Sequence, residues 1–175
     1  MGKKQVTVAF LGPEASFSHV ASERFFEPVH ATLLPQPTIP DCIEAVAKGS
    51  VPLTMDYLFH GDRLYITAEV LLPIEQHLMV HPQNKGNLNK LTSIQSHPHA
   101  LAQCHQYFKA QHAEVPLIQT TSTALAAELV SVQPEEQIAA VGNKRAAKQY
   151  GLHVIEENIH DFHFNHTRFV VLSRQ

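Results

Sequence analysis

The sequence predicts an α/β fold in two lobes with a cleft between them, and three observations carry that prediction. Short β-branched runs alternate with segments whose apolar residues recur at helical spacing. The alternation fails once, near residue 50, and resumes cleanly after residue 90. Between these points the leucine-rich stretch Tyr65 to Val80 suits strands that pass from one lobe to the other, and the chain ends on another apolar run that brings it back.

Taken in order, Val6 to Leu11 reads as a buried strand ending at Gly12-Pro13. Ser16 or Ser18 caps a helix that runs to Phe25 or Phe26, so residues 12–16 form a strand-to-helix loop at the carboxyl edge of a sheet, where ligands collect in open α/β folds. A short strand near Ala31 to Leu34 leads to a helix in which Pro40 suits the first turn and Cys42, Ile43, Val46 and Ala47 share a face; Gly49 stops it. Leu53 to Phe59 then reads as a second helix with no strand before it, which interrupts the order a parallel sheet needs. Pro73 should break the long stretch that follows, because it has no N–H for a ladder.

Beyond it, Leu91 to Ile94 is a strand, Pro98 to Phe108 a single helix and Val115 to Ile118 a strand. Ser122 to Val130 is an alanine-rich helix, Ile138 to Val141 a strand, Lys144 to Tyr150 a helix ended by Gly151, and Leu152 to Ile155 a strand. The last strand, Arg168 to Leu172, returns to the first lobe. Residues 1–76 and 158–175 are thereby assigned to lobe one and 77–157 to lobe two.

Composition narrows the function. No run approaches the roughly 20 apolar residues of a membrane-spanning helix, and Val6 to Leu11 is too short for the apolar segment of a signal peptide, so a cytoplasmic protein with no membrane partner is expected. The net charge is −3 and the basic residues are scattered, so no nucleic-acid partner is expected. Cys42 and Cys104 lack CxxC spacing and read as reduced thiols. The 13 histidines thicken towards the C-terminal part, but His97/His99 and His160-x-x-His163-x-x-His166 lack the cysteine or His-Glu-x-x-His company of a metal site, so no metal is expected. The absence of GxSxG, GxGxxG and GKS or GKT argues against serine-hydrolase, dinucleotide and P-loop chemistry.

Three loops hold the candidate chemistry. Gly12 to Ser18 offers Ser16, and Ser96-His97-Pro98 with Thr120 to Ala124 offers Ser96, Ser122 and Thr123 at the amino ends of two helices, where hydroxyls and first-turn amides suit a carboxylate. The third is Asn165-His166-Thr167-Arg168-Phe169, which sets a hydroxyl and a guanidinium side by side at the mouth of a strand. A guanidinium cannot shed its charge, so Arg168 suits clamping a carboxylate or making an ion pair. Thr167 is a weak acid, able to protonate only a group becoming strongly basic, such as a departing hydroxide. A pocket for a small organic acid follows.

These residues carry a family resemblance. Gly12 to His19, Ser96-His97-Pro98-His99-Ala100-Leu101-Ala102-Gln103-Cys104, Thr121 to Ala127, Ala146-Ala147-Lys148-Gln149-Tyr150-Gly151-Leu152 and Asn165 to Phe169 resemble, in order and spacing, the signatures of prephenate dehydratase across residues 6–173. The resemblance implies a two-lobed domain similar to type II periplasmic binding proteins and a lyase that converts prephenate to phenylpyruvate, losing water and carbon dioxide, in phenylalanine biosynthesis. It places Thr167 as the catalytic residue, with Ser16, Ser96, Ser122, Thr123, Asn165, Arg168 and Phe169 around the substrate, and implies no cofactor. It also implies a catalytic domain without a C-terminal ACT regulatory domain. A homodimer is the expected assembly.

An arogenate dehydratase, a prephenate decarboxylase and a non-catalytic binding module for an aromatic amino acid or keto acid are the alternatives. The chain departs from the family at Ala15-Ser16, where Gly-Thr is usual, and at His99, where Gln is usual. Where the family has a strand ending in Pro-Ile-Glu-Asn-Ser, it has only Lys48-Gly49-Ser50-Val51-Pro52. A central strand is therefore expected to be missing there, or to have dropped out of the sequence between Gly49 and Ser50.

Overall fold

The structure, a computed structural model, describes residues 6–56 and 64–174. It forms two compact units, Met1–Pro73 with His166–Gln175 and Ile74–Asn165. Each is a five-stranded sheet with helices, as the alternation of strand and helix patterns requires.

In the first unit, β1 (Thr7–Leu11), β2 (Thr32–Gln36) and β3 (Leu53–Asp56) run parallel, with β1 in the middle. β10 (His166–Ser173) lies antiparallel between β3 and β4 (Tyr65–Pro73), giving the order β2-β1-β3-β10-β4. α1 (Phe17–Phe26) is capped by Ser16, and α2 (Ile39–Ala47) by Thr38 with Pro40 in its first turn, a position that needs no N–H. Ala9, Val46, Val51, Leu64 and Leu172 pack into one core cluster.

β3 corrects the reading of Leu53 to Phe59 as a helix: Leu53 to Asp56 form a strand, while residues 57–59 lie outside the described residues. A short apolar run carries too few residues for its period to decide between helix and strand. Pairing decides it, because the backbone edges of β1 and β10 both need a partner, and Leu53–Asp56 supplies both. The expectation of a missing central strand falls with it. The chain runs through Gly49 and Ser50 in a turn closed by Gly49 N–H to Val46 O (3.0 Å) and Val51 N–H to Ala45 O (3.1 Å). Gly49 has φ +78°, a left-handed conformation that favours glycine, and the Arg174 guanidinium lies close over it.

The second unit repeats the arrangement. β6 (Ser93–Ser96) runs parallel to β7 (Leu117–Gln119) and to β8 (Ile138–Gly142), and β5 (His77–Val80) lies antiparallel between β8 and β9 (His153–Glu156). The order is β7-β6-β8-β5-β9. α5 (Thr123–Ser131) and α6 (Lys144–Gln149) are capped by Ser122 and Asn143. Leu78, Val80, Ile94, Phe108 and Val141 belong to the core cluster.

The single helix expected over Pro98 to Phe108 is two, α3 (Pro98–Gln103) and α4 (His105–Gln111), parted at Cys104. Asp161 makes the break: its N–H goes to Gln103 O at 2.7 Å, and its carboxylate oxygens accept Gln106 N–H at 3.1 and 3.2 Å, as a capping side chain would. Burial, reinforced by Asp161, pushes the Cys104 thiol up to about 12, so it behaves as a small apolar group. Among the described residues no helix is long and apolar enough to cross a membrane.

Thr54, in the middle of the first sheet, is fully buried, and among the described residues its hydroxyl has no hydrogen-bond partner. A buried hydroxyl left unmatched opposes folding. Thr54→Val should therefore raise stability by about 1 kcal/mol, read as a rise in Tm of roughly 2–4 °C in thermal denaturation followed by circular dichroism.

Candidate active site

Ser16, Thr167, Arg168 and Phe169 belong to the first unit, and Ser96, Ser122, Thr123 and Asn165 to the second. In the first unit the 12–16 loop follows β1. Gly12 N–H bonds to Gln36 O at 2.8 Å, and a Cβ on Gly12 would lie 3.1 Å from Pro35 Cβ, which holds the loop close to β2. Ser16 Oγ donates to Leu11 O at 3.2 Å and accepts His19 N–H at 3.3 Å, tying loop to helix. His19 is buried, stacks on Phe10 with centroids 4.9 Å apart, and accepts Ala15 N–H on Nδ1 at 2.9 Å. Sequence reasoning passed over this histidine, whose one signal is its position three residues after the cap.

That bond holds Ala15 at φ +62°, in the left-handed region where a side chain is strained. Here lies the physical meaning of the Ala15-Ser16 departure: the family's usual glycine suits this backbone and alanine does not. A hollow of about 340 Å³ is lined by Gly12, Pro13, Glu14, Pro35, Gln36 and Pro37. A larger one, about 610 Å³, is lined by Ser22, Glu23, Arg24, Glu27, His30 and Leu33 among others. Thr167 lines neither.

On β10, Thr167 pairs with Leu72 of β4 and is half-buried; among the described residues its hydroxyl has no hydrogen-bond partner. Successive strand residues face opposite sides of a sheet, so Thr167 shares a face with Phe169, which is 2% exposed, and Arg168 points the other way. The Arg168 side chain is 70% exposed, and its Nε lies 3.3 Å from Glu69 Oε2 on β4. The strand's alternation thus sets the hydroxyl and the guanidinium on opposite faces of the sheet, with the guanidinium beside Glu69.

In the second unit the predicted hydroxyls gather at the carboxyl ends of the parallel strands. Ser96, fully buried at the end of β6, donates to Val141 O at 2.7 Å. Ser122 Oγ accepts Leu125 N–H at 3.0 Å as the cap of α5, and Thr123, 8% exposed, follows it beside Gly142. Asn143, which sequence reasoning passed over, repeats the device after β8 by accepting Ala146 N–H at 2.8 Å. Its signal was present in Gly142-Asn143 directly after an apolar run.

Asn165 is bound into the unit from several sides. Its carbonyl accepts Ile74 N–H at 2.8 Å, its Nδ2 donates to Ile74 O at 3.2 Å, and its Oδ1 accepts from Gln103 Nε2 at 3.4 Å. Nearby, His77 is 1% exposed and accepts Asn158 N–H on Nδ1 at 3.2 Å. Burial, with Lys144 adding to it and Glu75 and Glu157 opposing, holds the His77 imidazole below its ordinary 6.5. Among the described residues no group of three His, Cys, Asp or Glu is placed to hold a metal ion.

With this geometry in view, a sequence model of prephenate dehydratase matches residues 8–175. The chain belongs to the prephenate dehydratase family. It is 40% identical over 181 aligned positions to the prephenate dehydratase of Bacillus subtilis (strain 168), covering 95% of this chain and 63% of that one. The crystal structure of prephenate dehydratase from Arthrobacter aurescens in complex with L-Phe superposes with a TM-score of 0.89 at 27% identity, covering 97% of this chain and 61% of that one. GqqA, described as a novel type of quorum-quenching acylase, superposes at 0.79 with 26% identity, covering 97% of this chain and 64% of that one. The chain thus spans less than two thirds of the length of these proteins, and the scaffold itself serves proteins of differing description.

Two outcomes follow from these contacts. Ala15→Gly should stabilise the protein by about 0.5–1 kcal/mol by relieving the left-handed strain, measured as a shifted urea midpoint at unchanged slope. His77 titrates at a lower pH folded than unfolded, so its contribution is intact above 6.5 and is lost as pH falls from there to the depressed value. The urea midpoint should fall across that acid range, and fall less steeply in His77→Gln, whose amide retains an acceptor for Asn158 N–H.

Proposed function

We propose that this chain catalyses the dehydration and decarboxylation of prephenate to phenylpyruvate, with Thr167 as the general acid. One observation supports this reading above the rest: in a member of the prephenate dehydratase family, Thr167 stands on a paired strand with a hydroxyl that no described residue engages. The ring carboxylate of prephenate leaves as carbon dioxide, its bonding electrons enter the ring, and the ring C–O bond breaks. The departing hydroxide takes the Thr167 proton and leaves as water, and solvent returns a proton to Thr167. Aromaticity supplies the driving force, so the protein has chiefly to orient the substrate and protonate the leaving group, and no cofactor enters the step.

The other predicted residues take their places in the same proposal. Ser16, Ser122 and Thr123 stand at helix amino ends whose first-turn amides favour a carboxylate, and Ser96 and Asn165 hold the loops around them. Phe169 anchors the face of β10 that carries Thr167. Arg168 enters as the cation for a substrate carboxylate, with Glu69 as its partner when no substrate is bound. A likeness to type II periplasmic binding proteins, a cytoplasmic setting and a homodimer belong to this reading too.

The alternative of a non-catalytic binding module draws on two features: the missing Pro-Ile-Glu-Asn-Ser segment and an Arg168 already paired with Glu69. Purified protein given prephenate should release phenylpyruvate, followed by its absorbance in alkali. Thr167→Ala should lower kcat by about 10²–10⁴-fold while prephenate still binds in calorimetry, and Thr167→Ser should retain part of the rate. Binding without turnover in the unaltered protein would favour the binding module; unchanged turnover in Thr167→Ala would remove Thr167 from the mechanism.

A further inference from the structure

We propose that Gln76 is a positioning residue: it heads an amide relay through Gln103 to Asn165 that fixes the backbone two residues before Thr167. The inference rests on the catalytic reading above and deepens it. Gln76 is 2% exposed, and its Nε2 donates to Gln103 Oε1 at 3.0 Å. Gln103, at the end of α3, donates from Nε2 to Asn165 Oδ1 at 3.4 Å, and Asn165 Nδ2 donates to Ile74 O at 3.2 Å.

The polarity of this relay is forced from one end. The Ile74 carbonyl only accepts, so the Asn165 amide must turn its nitrogen towards it and its oxygen towards Gln103. Gln103 must then present nitrogen to Asn165 and oxygen to Gln76, and Gln76 must present nitrogen to Gln103. The mismatch is pushed to the buried head of the relay, where Gln76 Oε1 has no hydrogen-bond partner among the described residues. A leucine or methionine of similar size would leave no such oxygen, so glutamine at this place is a local cost that stability does not explain, of the kind found where function sets the residue.

The main chain of Gln76 is held as firmly as its side chain. Its carbonyl accepts Ile159 N–H at 2.9 Å and its N–H donates to His160 Nδ1 at 3.4 Å. The relay therefore ties a fixed point in the chain leading into β5 to the residue leading into β10. Ile74 N–H to Asn165 O at 2.8 Å closes the loop, and in the next register position His166 faces Pro73 and Thr167 faces Leu72. A displacement of about 1 Å in a reacting group costs on the order of 100-fold in rate, so an anchor this close in the chain to the proton donor acts on turnover more than on binding.

The test compares the unaltered protein with Gln76→Leu and Gln76→Glu. Gln76→Leu should lower kcat for prephenate by about 10–100-fold, with KM changed less than about threefold. Gln76→Glu can donate to Gln103 Oε1 only when protonated, so its kcat should approach the unaltered value at acid pH and fall as the buried carboxyl ionises, a descending limb absent from the unaltered protein. Hydrogen exchange at the Ile74 amide, read by NMR, should quicken in Gln76→Leu. That reading does not depend on turnover: an unaltered protein inactive on prephenate would remove the catalytic reading, while unchanged exchange at Ile74 would overturn the relay. Unchanged kcat in Gln76→Leu, or a Gln76→Glu profile that superposes on the unaltered one, would overturn the positioning role.

Discussion

The return of β10 to the first sheet is the constraint on which the structure depends. β3 and β4 each offer one edge of backbone donors and acceptors to the space between them, and β10 answers both antiparallel. Val171 and Leu172, 2% and 0% exposed, seal it there with apolar burial. Because loop-closure entropy grows only with the logarithm of length, a whole second unit can lie between β4 and β10 at modest entropic cost. The same pairing delivers Thr167 at a fixed register opposite Leu72, so the strand that completes the fold also carries the residue assigned to the chemistry.

The two units solve the same problem alike. Each sets three parallel strands beside an antiparallel one, with the capped helix starts following the carboxyl ends of the parallel strands. Most of the hydroxyls that sequence reasoning marked for a ligand already have partners: Ser16 and Ser122 cap helices, and Ser96 donates to a carbonyl. They hold loops and helix starts in place, and the backbone amides of those starts remain the natural donors for negative charge.

Much of the fold was legible because local signals and tertiary demands agreed. Val8, Ala9 and Phe10 are fully buried in β1, the apolar run of β8 is buried throughout, Ser16 caps α1, and Pro40 stands in the first turn of α2 as its position announced. The failures share a cause. Leu53 to Asp56 is too short for its period to speak, and two neighbouring strand edges made it a strand. The helix over 98–108 has an unbroken pattern, and an aspartate more than fifty residues away divides it. Arg168 next to Thr167 looked like one site until the strand's twofold alternation turned them apart.

The sequence by itself determined the class of fold, nearly every element, the family and the segment that carries Thr167, because these rest on period, capping grammar and residue order, all local to the chain. Tertiary structure alone decided that Leu53–Asp56 is a central strand, that Arg168 pairs with Glu69, and that Gln76, Gln103 and Asn165 form one relay with its unmatched oxygen at the buried end. Those outcomes depend on which groups distant in sequence find each other across a sheet edge or inside a core. Neither spacing nor composition encodes that.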